Sequence, residues 1–155
     1  MPPGAGLVSR DEVARQTGIE LLQGMLDGRY PPPPMANTLG FRLIEVGPGR
    51  AVFEGEAGIA HYNPLGVVHG GWAATMLDSC LGCAVHTLLP KGVGYTTLEM
   101  KVNYVRAIAP GAGPLQAIGT VIHSGRQVAT AEARLVDPSG KVFAHGTTTC
   151  LIFAL

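Results

Sequence analysis

The chain has 155 residues, 46% hydrophobic and only 14% charged, and its formal net charge is zero. That length predicts one domain with a real core, and so little charge predicts buried contacts between copies of the chain. The balance excludes nucleic acid or an anionic membrane as a main partner, and no apolar run is long and charge-free enough to span a bilayer.

The first residues, "MPPGAGLVSRDEVARQ", lack the basic-plus-apolar pattern of a secretion signal, so a cytoplasmic location is expected. Residues 9–27 predict one amphipathic helix, with Ser9 as cap, Glu12 at the capping-box spacing, and Val13, Ile19, Leu22 and Leu26 as its stripe. The four prolines at 31–34 are expected to stop any helix and act as a stiff connector. Residues 1–36 are therefore expected to form an appendage, and residues 37–155 the main domain.

From Leu39 two short strands are predicted around Gly47-Pro48-Gly49, followed by a loop with Asn63-Pro64-Leu65-Gly66. Gly70 to Leu89 is long enough for a helix and apolar nearly all round, so it should be enclosed. Four strands follow, at about 94–106, 113–124, 126–137 and 141–153, with turns at "HSGR" and "DPSG". Thr97, Glu99, Lys101 and Asn103 alternate with Leu98, Met100, Val102 and Tyr104, the period of a half-buried strand. The order fits an α+β fold, a single antiparallel sheet curled around one helix.

Three cysteines, Cys80, Cys83 and Cys150, are an odd count without a secretion signal, which argues against a disulfide framework. Cys80, Cys83 and His86 hint at zinc, but three-residue steps rotate round a helix and no second ligand cluster exists. Packing is their expected role, and neither a metal nor a cofactor is expected.

Between residues 57 and 90 the single charged side chain is Asp78. An unpaired carboxylate in apolar surroundings costs several kcal/mol, about 2–7 even for a neutral polar group. It is either a structural hydrogen-bonding group or a functional one. His69-Gly70-Gly71 stands at the start of the same helix. Glycines there weaken the helix, yet they allow close approach to free N–H donors at its positive end, a place that stabilises an oxyanion. Gly70 and Asp78 are eight residues apart, roughly 12 Å along a helix axis. One helix therefore does not present both to one carbonyl. Two antiparallel copies do, which puts the site across a two-fold interface.

"NPLGVVHGGWAATMLD", with "YTTLEMKVNYVRAIAPG" and "HSGRQVATAEARLVDPSGKVFAHGTTT", resembles the hotdog-fold acyl-CoA thioesterases of the phenylacetate-pathway (PaaI-like) branch, over about residues 36–153. The resemblance implies hydrolysis of an acyl-CoA, with a small aromatic or medium acyl group, to free acid and CoA. It also implies a homodimer, with dimers paired into a tetramer. Gly70 would donate its N–H to the thioester oxygen. Asp78 of the partner copy would be nucleophile or general base. Asn63 and His69 match positions that shape the loop and hold the carbonyl or water, and Thr97 matches a hydroxyl that orients water beside the acid. Gly71, Trp72 and Tyr104 are candidate substrate contacts, with Trp72 and Tyr104 suited to an acyl pocket. Among Lys101, Arg106 and Arg126, Arg126 in the "HSGR" turn is the expected phosphate contact. Two other readings share the pocket: a non-catalytic acyl-CoA sensor, and a dehydratase acting on acyl thioesters through a catalytic His.

Overall fold

The computed structural model describes residues 4–155. Its N-terminal part holds two helices where one is predicted, α1 (Arg10–Ala14) and α2 (Gly18–Leu26). Ser9 caps α1 as expected, its hydroxyl accepting from the Glu12 N–H. The break comes at Thr17, which starts a second capping box: its hydroxyl accepts from the Glu20 N–H, and Glu20 Oε2 accepts from the Thr17 N–H at 2.8 Å. A capping threonine followed by glycine restarts a helix more readily than it continues one. The prolines do not simply stop helices. Pro33 caps, and Pro34 opens, a short α3 (Pro34–Leu39), since proline at the first helical position sacrifices an N–H that would go unpaired anyway. Gly40, at φ 68°, ends α3 in the left-handed region, so the first strand starts at Phe41 and not at Leu39.

Six strands follow: β1 (Phe41–Gly47), β2 (Arg50–Gly55), β3 (Val93–Tyr104), β4 (Leu115–Ser124), β5 (Val128–Val136) and β6 (Val142–Ala154). They form one sheet in the order β1-β2-β4-β5-β6-β3, antiparallel at every step. The central helix α4 (Gly70–His86) lies in its concave face and touches all six strands. The expected hotdog arrangement, a sheet wrapped round one long helix with extra helical structure at the N-terminus, is the one observed. No helix among the described residues is long and apolar enough to cross a membrane.

Close approach of α4 depends on small side chains beneath it. Ala117 on β4 and Ala129, Ala131 and Ala133 on β5 are buried, a run of weak strand formers that leaves room for a helix. At Gly119 the approach is tightest: a Cβ there would lie 2.5 Å from the Cys80 carbonyl oxygen. Met76, Leu77, Leu81 and Val85 supply the bulk from the helix side. α4 ends at His86, short of the predicted Leu89, because Thr87 takes over. Its hydroxyl donates to the Ala84 carbonyl at 2.6 Å and accepts the Gly49 N–H at 2.8 Å, tying the helix end to the β1–β2 turn.

Gly119→Ala should lower stability by about 1–3 kcal/mol, since the neighbour is helix backbone and yields little. A urea midpoint unchanged from the parent protein would mean that α4 does not rest on β4 there.

Candidate active site

His69 caps α4 with its side chain: Nδ1 accepts from the Gly71 N–H at 2.8 Å. The neutral imidazole therefore carries its proton on Nε2 and presents a donor, not a base. Gly71's amide is thereby engaged, whereas the Gly70 N–H has no acceptor among the described residues. Gly70 is the first helical residue, and its lack of a Cβ is used, since one would lie 3.2 Å from the Tyr104 ring. The structure thus gives one free amide at the positive end of the helix, under an aromatic side chain.

The loop before the helix is shaped by Asn63. Its Oδ1 accepts from the Leu65 N–H at 2.9 Å and the Val67 N–H at 3.4 Å, and its own N–H donates to the Val67 carbonyl at 2.8 Å. Asp78 lies two turns into α4 and is half-buried, on the flank that also carries Ala74, Thr75 and Ser79. The helix is therefore less enclosed than its composition predicts, because its own sheet leaves this flank uncovered. Asp78 has one partner among the described side chains, the Thr97 hydroxyl, which donates to Oδ1 at 3.0 Å.

A β-bulge makes that contact possible. The β3–β6 register slips between Thr97 and Glu99, so Leu98 is the extra residue. Strict alternation would put Thr97 and Tyr104 on opposite faces. The bulge resets the phase, and Tyr95, Thr97 and Tyr104 all reach α4, at Gly82, Asp78 and Gly70 respectively. β3 thus runs back along the helix that it serves.

A cavity of about 380 Å³ opens at the helix start, lined among others by Gly70, Ala73, Tyr104, Arg106 and Phe143. Arg106 is exposed and has no ion-pair partner among the described residues. Arg126 instead lies in the β4–β5 turn beside the start of β3, the end of the sheet remote from Gly70 within one chain. Trp72 is 3% exposed, and its indole N–H donates to the Leu39 carbonyl at 2.8 Å. It is a core side chain that holds α3 to α4, and in one chain it walls none of the described cavities. No group of three or more metal-ligating side chains occurs among the described residues. Burial pushes the thiols of Cys80 and Cys83 up, Cys83 to about 12, so neither is a thiolate near neutral pH.

Comparison with known proteins gives a consistent set. The model of the thioesterase superfamily matches residues 65–144, a stretch that contains Gly70, Asp78, Thr97, Tyr104 and Arg106. A phenylacetic acid degradation-related protein from Ralstonia eutropha JMP134 is 30% identical, with a TM-score of 0.76 over 84% of this chain and 98% of that one. A relative from Halobacterium salinarum is 39% identical over 84 residues, 53% of this chain and 54% of that relative, so the match spans about half of its length. Acyl-coenzyme A thioesterase 13 of Homo sapiens is 25% identical over 108 residues, 69% of this chain and 76% of that protein.

His69→Ala should cost about 1 kcal/mol, the loss of a helix cap, while His69→Asn, which keeps a capping acceptor, should cost less. Denaturant melts of the two variants check this. Equal losses would show that the Nδ1 contact does not support the helix.

Proposed function

This chain belongs to the thioesterase superfamily, and we propose that it hydrolyses an acyl-CoA thioester to the free acid and CoA at two sites shared between paired subunits. The observation that carries this reading is the pairing of a free helix-start amide at Gly70 with a lone, hydroxyl-oriented acid at Asp78, two turns away on the same helix. At roughly 12 Å apart along the axis they do not serve one carbonyl in one chain. An antiparallel second copy brings one subunit's Gly70 to the other's Asp78.

Two further features support pairing. β3 is an edge strand with β6 as its single neighbour, and Leu98 along it and Val105 just past its end are 58% and 55% exposed. An unpaired edge with apolar side chains is the kind of surface that another strand covers. The uncovered flank of α4, with Asp78 on it, adjoins that edge through Thr97.

In the proposed reaction, the Gly70 N–H points at the thioester oxygen. The Thr97 hydroxyl holds Oδ1 of Asp78, leaving Oδ2 to accept a proton from water as the water oxygen attacks the carbonyl carbon. The C=O electron pair moves to oxygen, and the oxyanion is stabilised by the Gly70 N–H and the helix dipole. Collapse re-forms the carbonyl and breaks the C–S bond; the proton held by Asp78 passes to the sulfur. His69 and Asn63 set the loop and the helix start, and Tyr104 and Arg106 flank the CoA side of the carbonyl. His69, with Nδ1 engaged and a donor at Nε2, is not arranged to abstract a proton as a dehydratase base would.

An acyl-CoA panel with a thiol reagent tests the reading. Free CoA should be released, and Asp78→Asn should remove about 10²–10⁴ of kcat while the variant stays folded. Single turnover in ¹⁸O-water should leave Asp78 unlabelled; label in Asp78 would make it the nucleophile. Binding without CoA release, in a folded parent protein, would replace the hydrolase with a sensor.

A further inference from the structure

A second cavity, about 490 Å³, lies beyond the matched family span on one side and against α4 on the other. One wall is the N-terminal segment, with Leu22 and Met25 on α2 and Pro32 in the connector. Phe53 of β2 forms the floor. The end against the last turn of α4 is made by Cys83, His86 and Tyr95. We propose that this cavity receives the tail of the acyl group, and that the N-terminal segment sets the tail length the enzyme accepts. This rests on reading Gly70 and Asp78 as the reaction site.

Position carries the argument. Gly82 is one turn beyond Asp78 on the same face of α4, and a Cβ there would meet the Tyr95 ring at 2.7 Å, so Tyr95 lies directly on the helix. Tyr95 and Thr97 are alternate residues of β3 on that same face, about 7 Å apart. A carbonyl held beside Asp78 and Thr97 therefore has Tyr95 as the next side chain along the helix, and Tyr95 is also part of the cavity lining.

The chemistry of the walls selects the ligand. Aliphatic side chains and prolines dominate, and the charged residue on the lining, Arg42, is paired with Glu54 at 3.0 Å and exposed. Burial keeps Cys83 and Tyr95 protonated and His86 neutral, so the inner end holds no charge near neutral pH. At about 30 Å³ for each water-sized group, the space holds a chain on the order of ten carbons. A single ring would leave much of it empty, so the fit is a medium-length aliphatic tail.

The wall is built in. The Gly18 N–H donates to the Leu89 carbonyl at 3.0 Å, and the Gly92 N–H donates to the Ala14 carbonyl at 2.9 Å, fastening α1 and α2 to the loop between α4 and β3. Gln16 Nε2 donates to the Tyr30 hydroxyl at 2.6 Å, closing the segment on itself. A wall so anchored can measure length.

Met25→Trp, with Met25→Phe as a milder filling, tests the assignment in the full-length protein. The probes are the non-hydrolysable butyl and decyl thioethers of CoA by calorimetry, with butanoyl-CoA and decanoyl-CoA for kinetics. Filling should weaken decyl binding, and lower kcat/KM for decanoyl-CoA, by about tenfold or more, and leave the four-carbon compounds within about twofold. Decyl binding as tight in the folded variants as in the parent, or absent in the parent, overturns the proposal. If neither ester is hydrolysed while decyl binding still responds to Met25, the hydrolase reading fails and the cavity assignment stands. Hydrolysis indifferent to chain length and to Met25 is the reverse.

Discussion

A straight α-helix is a ruler, and the account of this protein depends on that rigidity. The free amide at Gly70 and the carboxylate of Asp78 are held by the same seventeen-residue helix, so no side-chain motion brings them to one atom. Either they belong to different chemistry or they meet their counterparts on a second copy. The helix has little freedom to bend out of this choice, since Gly119 meets its backbone in the middle and the Thr87 hydroxyl ties its end to the β1–β2 turn.

Around that helix, β3 acts as the positioning strand. A regular strand would give the helix either Thr97 or Tyr104. The bulge at Leu98 gives it both, one on the acid and the other over the bare amide. The same strand contributes Tyr95 to the far cavity and turns Leu98 outward on the sheet edge. Site, cavity and exposed edge therefore share one strand, and a change in its register would disturb all three.

Much of this is legible in the residues. Alternating apolar patterns mark the strands, the long uncharged run marks α4, and Asp78 is conspicuous because nothing else between residues 57 and 90 carries charge. Local competition is less legible. Thr17 and Glu20 divide a continuous amphipathic pattern, and Pro34 opens a helix where four prolines suggest a stop. Long-range contacts are not legible at all. Nothing in "TTLEM" signals the slip at Leu98, Trp72 reads equally as core or pocket, and Arg106 and Arg126 look alike until the sheet puts one beside Gly70 and the other at the opposite end. The apolar cavity beneath α2 is hidden for the same reason: its walls come from five separate stretches of chain, with no shared pattern.

Subunit complementation tests the shared site most directly. Gly70→Pro deletes the amide hydrogen at the one helical position whose backbone accepts proline, with the exposed Tyr104 ring, 3.2 Å from the added Cβ, giving way, and His69 before it is already extended. Mixing Gly70→Pro subunits with Asp78→Asn subunits creates hybrids with one intact Gly70–Asp78 pair across the interface. The account predicts two nearly inactive parents and a mixture that regains about a quarter of normal turnover, half of the dimers being hybrid with one working site each. Hybrids verified by mass spectrometry, yet no more active than their parents, would contradict it.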